Sequence, residues 1–237
     1  MSMTGWVQSA DVSTPLPLCA ETAWWLTGWL RGHVPGDDLL DGVPVSLDLA
    51  ADLRASGATG VGLALPVPGD PLGLGGPPEF NVAAQAAGEA LVTDSDVGLV
   101  PGEIHEGYVR WDRFVAVRRQ VPDLGEADRG LRGQVLETSR RLAELDVAKW
   151  RPEIADEVMA LGRPNDLSPP PGVPARCAEL AVRAARCLAI VRLAATDDGA
   201  AVSAYEMEAR ADALRPLDSA ARRGLVAACS PEVWPTD

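Results

Sequence analysis

The residues best placed to do chemistry are Glu103, His105 and Arg110, which fall close together in the stretch GEIHEGYVR. Glu103 and His105 share a strand parity, so a carboxylate and an imidazole would project from one face. Such a pair could move a proton or hold a metal, with Arg110 binding an anionic substrate. Against this, the chain has only 2 histidines, His33 and His105, and no HxH or HExxH spacing. A solvated strand end is the simpler reading. The aspartates Asp37, Asp38, Asp41, Asp48 and Asp52 form a second cluster that could attract Mg²⁺ or Ca²⁺. No EF-hand spacing accompanies them, since Asp94-Ser95-Asp96 lacks the following glycine and the distal glutamate, so they read as a solvated acidic surface. No GxSxG occurs, and no cysteine has a histidine near it in sequence, so a nucleophile is not indicated. These residues make no metal or cofactor site, and the chemistry as a whole leans away from an enzyme.

The loop GDPLGLGGPPEF lies between an apolar run and a helix start, a layout by which backbone N–H groups can bind phosphate. It matches neither GxGxxG nor GxxxxGK[ST], and Pro77 and Pro78 remove two donors. A rigid connector fits better, with Leu72, Leu74 and Phe80 as residues it could present to a partner. The helical stretch LCAETAWWLTGWLR offers a second interaction face through Trp25 and Trp29, spaced i,i+4, although docking onto the fold is the simpler use of such large aromatics. In the most apolar later helix, Arg176, Arg183 and Arg186 share one side and could clamp that helix to the acidic first half.

Composition narrows the classes. The 237 residues carry 34 acidic and 21 basic groups, net -13, with the first 120 residues at net -9 and the remainder at net -4. Such a surface repels phosphate backbones and anionic headgroups, which argues against nucleic-acid or membrane binding. Cys19, Cys177, Cys187 and Cys229 form no CxxC pair, and Cys177 and Cys187 would lie about 15 Å apart on one helix at ~1.5 Å per residue. Reduced, buried thiols are expected. The N-terminal stretch has no basic or apolar leader pattern, and no apolar run reaches the ~20 residues that span a bilayer. A cytoplasmic protein is the expectation.

The elements that would position these residues follow from periodicity. Leu18–Arg31 and Ser46–Ser56 read as helices, the second capped by Ser46. Gly60–Val67 is apolar on both parities and reads as a buried strand. Asn81–Ala87 reads as a short helix, Glu89–Thr93 and Val97–Glu103 as a hairpin around Asp94-Ser95-Asp96, and Tyr108–Val117 as a further strand. Beyond Pro122 the period becomes helical. Glu126–Trp150, Arg151–Leu161, Ala175–Ala195, Ala200–Leu214 and Leu217–Cys229 are the expected helices, with Asn165–Pro174 as a linker. The fold class is therefore α+β: a small mixed or antiparallel sheet of about four strands with short helices over residues 1–121, then a four- to five-helix bundle over residues 122–237.

The segment ALPVPGDPLGLGGPPEFNVAAQAAGEALV (Ala64–Val92), together with Glu144–Trp150 and Arg215–Ala228, resembles a group of uncharacterised proteins of high-GC actinobacteria. The resemblance implies a bacterial protein and transfers no activity or site residue. Two function classes follow. One is a non-enzymatic interaction or regulatory protein with a protein partner or a second copy of itself. The alternative is an enzyme or small-molecule binder with a pocket where sheet meets bundle.

Overall fold

The computed structural model describes residues 16–105, 108–117, 119–144, 168–196 and 204–235. In its first half, helices α1 (Leu18–Leu30), α2 (Gly36–Gly42) and α3 (Leu47–Ala55) precede strand β1 (Val61–Ala64). Helix α4 (Pro78–Ala87) leads into strands β2 (Ala90–Thr93), β3 (Val97–His105) and β4 (Tyr108–Val115). Helices α5 (Leu124–Glu144), α6 (Ala175–Thr196) and α7 (Ala204–Ala228) follow, and a 3-10 turn covers Pro231–Val233.

Local chemistry accounts for several boundaries. The Ser46 hydroxyl accepts the Leu49 amide at 3.1 Å and starts α3 as its cap. Pro78 opens α4 at a position whose N–H has no helical partner, and Gly88 closes it in the left-handed region, at φ 80°. The expected hairpin forms around residues 94–96, with Asp96 at φ 61°.

The sheet runs β1-β2-β3-β4, antiparallel throughout, which places the fold in the α+β class. Strand alternation divides its side chains between two apolar layers. Val61, Leu63, Leu91 and Leu99 face the larger core, which they share with Trp24, Leu26, Leu180 and Leu225. Ala64, Val92, Val100 and Phe114 face the smaller core under α4, where fully buried Phe80 meets the Phe114 ring at 6.0 Å between centroids. A strand covered on both faces explains why β1 is apolar at every position.

Helix α7 packs on both α5 and α6 and extends to β1. It is continuous through Pro216, where the sequence alone suggested two helices. Proline removes one helical hydrogen bond at a cost of ~3 kcal/mol. Here the buried stripe Leu214, Leu217, Ala221 and Leu225 continues across it, and that packing holds the helix together. The expected helix Arg151–Leu161 and the end of Glu126–Trp150 lie outside the described residues. No described helix is long and apolar enough to cross a membrane.

Candidate functional site

A four-stranded open sheet has two edges, and this protein treats them differently. On β1 and the extended segment that follows it, Val61, Leu63, Leu65 and Val67 turn their backbone groups away from β2. Thr27 of α1 places its hydroxyl between the two polar groups of Val61, accepting from the nitrogen at 3.0 Å and donating to the oxygen at 3.1 Å. The Leu63 amide donates to the Cys229 carbonyl at 3.2 Å, just beyond the end of α7. The Leu65 amide donates to Leu72 at 3.1 Å and the Val67 amide to Asp70 at 3.0 Å, so the Gly/Pro loop doubles back along the strand. The remaining carbonyls accept from side chains: Leu63 from Arg119, Leu65 from Arg222 at 3.2 Å, and Val67 from Gln85 at 3.2 Å. Every outward group on this edge is satisfied, so no further strand can add to it.

Two arginines bind this seam. Arg119 is buried and spends all five of its N–H donors on Leu63, Gly73, Ser230 and Glu232. Burial lowers its pKa, and the neighbouring Glu232 carboxylate opposes that shift. Its guanidinium lies where a Cβ on residue 62 would stand, which requires Gly62. Gly73, at φ +82°, lets the loop lie close on β1, since a Cβ there would stand 2.8 Å from the Ala64 Cα. Arg222 bonds Asp218 at 2.9 Å and Asp70 at 3.0 Å while it holds Leu65. Arg119 and Arg222 thus tie the C-terminal segment to the sheet, a role expected of Arg176, Arg183 and Arg186. Arg183 instead pairs with Asp128 of α5. Nothing local marks Arg119 or Arg222 as clamps in the sequence, because the carbonyls they hold on β1 and its loop are 46–157 residues away.

Among the described residues, nothing pairs with the outer edge of β4. Ala116 donates to the Asp96 carbonyl at 2.9 Å, which directs the backbone groups of even-numbered residues toward β3 and those of Trp111, Arg113 and Val115 outward. Among the described residues, no backbone hydrogen bond joins these three to another segment. The exit end is closed by Val117, which donates to Gly76 at 3.1 Å. Beside the edge lies a groove of about 850 Å³, lined by Leu40, Val43, Val45 and Leu47 across from Val109 and Trp111. Leu40 and Leu47 are 40% and 47% exposed. Trp111 donates its indole N–H to Pro44 at 3.1 Å, which fixes the groove wall to the strand. Arg110 and Asp112 stand exposed on the opposite face of β4, joined by two hydrogen bonds of 3.1 Å.

A second hollow of about 490 Å³ is lined by Thr93, Asp94, Asp96, Arg119 and Glu232, among others. Two of its charged groups are committed to the fold. Asp94 accepts from the Thr59 and Gly60 amides, and Arg119 has no donor to spare. Among the described residues, no group of three or more His, Cys, Asp or Glu could hold a metal.

The residues singled out from sequence are placed as follows. The Glu103 and His105 backbones belong to β3, and their side chains lie outside the described residues. Arg110 is on the open edge strand. Trp29 is buried beneath the Arg54 guanidinium, 3.5 Å from its ring, and Trp25 packs against Gly42. Leu72 and Phe80 are buried and Leu74 packs against the smaller core, so these side chains serve the fold's interior. The apolar surface at the sheet edge comes from Leu40, Leu47, Val109 and Trp111, which carry no motif. Their one sequence signal is an alternating strand that follows the acidic α2–α3 stretch.

The N-terminal domain of Rv1486c-like proteins matches residues 19–127, and the C-terminal domain of the same proteins matches residues 125–226. Two Mycobacterium tuberculosis proteins are similar: "Uncharacterized protein Rv1486c" of strain ATCC 25618 / H37Rv and "Uncharacterized protein MT1533" of strain CDC 1551 / Oshkosh. Each is 26% identical over an alignment 280 positions long, covering 89% of this chain and 96% of the relative. No solved structure matches the chain.

Proposed function

Since the chain belongs to the Rv1486c-like family, whose matched relatives bear no named activity, we propose from its geometry that it is a non-enzymatic interaction protein. Its docking surface is the open edge of β4 with the adjoining apolar groove, and its ligand is an extended protein segment that adds as a strand. The asymmetry of the sheet carries this reading. One edge is closed group by group, whereas the other presents outward amides beside about 850 Å³ of apolar groove. A bare edge left by chance would invite indiscriminate pairing, and natural sheets cover, bend or charge such edges.

The test presents a library of extended peptides to the purified chain, with Arg113→Pro as control. Arg113 directs its N–H outward, so proline there removes an edge donor without touching the β3–β4 ladder. Peptides that bind the parent chain, lose binding to Arg113→Pro, and slow exchange of the Trp111 and Arg113 amides support the reading. Peptides that bind both chains alike overturn it.

A second reading, a small-molecule binder, draws on the hollow of about 490 Å³, which is within the usual range for ligand sites. A thermal-shift screen of metals, nucleotides and acyl compounds tests it. No stabilisation by any class removes it.

A further inference from the structure

We propose that the strand added to β4 is the β4 of a second copy of this chain, laid antiparallel about a two-fold axis through Trp111. This inference rests on the reading of β4 as a docking edge.

Register provides the first argument. The outward backbone groups belong to odd-numbered residues, so hydrogen-bonded pairs across such an axis join odd to odd. Centring the axis on Trp111 places Arg110 of each copy opposite Asp112 of the other, two opposite-charge pairs on the same exposed face. The neighbouring choices are worse. Centring on Arg110, Asp112 or Arg113 sets that charge against itself, and centring on Val109 sets Arg110 against Tyr108. Charged residues on an edge strand ordinarily discourage pairing, but these two, joined to each other within one chain, are spaced so that one self-register lets each pair across the axis as well.

Local charge provides the second. Copies of a chain at net -13 repel each other, so they can associate only where that field is relieved. Of the 6 basic residues in the first 120, Arg110 and Arg113 stand on β4 against the single acid Asp112 of that strand, with Arg113 also paired to Asp52 at 3.7 Å.

Strand length provides the third. β2 spans Ala90–Thr93, so β3 continues past it from about Pro101 to His105, paired there to β4 alone. A two-stranded ribbon is marginal in water and gains from a third strand. The closed β1 edge then limits the assembly. With one edge sealed and one open, pairing stops at a two-fold dimer with a continuous sheet, and cannot propagate into a fibre.

Sedimentation velocity over a wide concentration range is the test. The parent chain is expected to dimerise reversibly. Asp112→Arg and Arg110→Asp, each first shown by circular dichroism to be folded, are expected to weaken the dimer at least about tenfold. A 1:1 mixture of the two variants restores dimers, because each Arg then faces an Asp. A chain that stays monomeric at every concentration, a dimer indifferent to both charge reversals, or a mixture that does not reassociate overturns the proposal. Amide exchange in the dilute monomer separates its failure from that of the docking reading. Fast exchange at Trp111 and Arg113 in a chain that never dimerises overturns self-pairing alone. Slow, concentration-independent exchange there means that the chain itself seals the edge, and overturns both.

Discussion

Thr27 and Val61 exchange two hydrogen bonds through one hydroxyl, which accepts from the Val61 nitrogen at 3.0 Å and donates to its oxygen at 3.1 Å. Both residues are fully buried, so no water can substitute. Thr27→Val keeps the shape and removes the hydroxyl, leaving a buried donor and acceptor unpaired. A loss of about 1–3 kcal/mol is expected in urea denaturation, with Thr27→Ser losing less. A Thr27→Val chain as stable as the parent would show that α1 does not secure this edge.

Arg119→Met tests the seam from the other side. The substitution leaves the Leu63 and Gly73 carbonyls and the Ser230 hydroxyl without their donor, and a loss of about 3–5 kcal/mol is expected. The ion pair contributes little of this, because the Glu232 side chain is 37% exposed and water screens it. Adding Glu232→Gln to Arg119→Met should therefore recover only a small part of the loss. Recovery of most of it would mean that the charge pair, and not the carbonyls, dominates.

Glu89 gives stability a pH dependence. Its buried carboxylate accepts the Cys19 amide at 2.8 Å in the first turn of α1, where Pro17 offers no side-chain cap. Burial raises its pKa, while the Cys19 backbone and thiol and the charge of Arg192 oppose the rise. The folded chain thus holds this proton to higher pH than the unfolded chain does. Stability from this group is complete below the ordinary carboxylate range and falls as pH rises through the raised value. Melting temperature against pH should show that decline in the parent chain and lose it in Glu89→Gln. Parallel profiles would overturn the assignment.

The four cysteines should be silent in the folded chain. All are buried, and burial pushes Cys19 and Cys229 well above the ordinary thiol range, raises Cys187, and brings Cys177 up to about 11. Only the thiolate is nucleophilic, so a disulfide reagent should label none in native buffer and all four in denaturant. Rapid labelling of one thiol in native buffer would identify a local opening.

What could be read from sequence was what is decided locally. The cap at Ser46, the hairpin around residues 94–96 and the double-sided burial of β1 each depend on a few neighbouring residues, whereas α4 starts three residues earlier than the expected Asn81. That β1 is an edge strand could not be read, because the groups that hide its edge come from Thr27, Arg119 and Arg222, 34 to 157 residues away. Phe80 and Leu72 looked available for display because they punctuate a Gly/Pro loop. The loop folds back on β1 and takes both into the interior. Pro216 resembled a break because proline's cost is local, whereas the packing that outweighs it is contributed by α5 and α6.

The seal on β1 also has an order in time. Its closing groups include Arg222 and the Cys229 carbonyl, which the ribosome adds more than 150 residues after the strand itself. Until α7 emerges, the Leu63 amide and the Leu65 carbonyl lack the partners that complete the seal. Synthesis halted before α7 would therefore release a product with a gap in the middle of that seal, and the last helix completes the chain's protection against strand addition at β1.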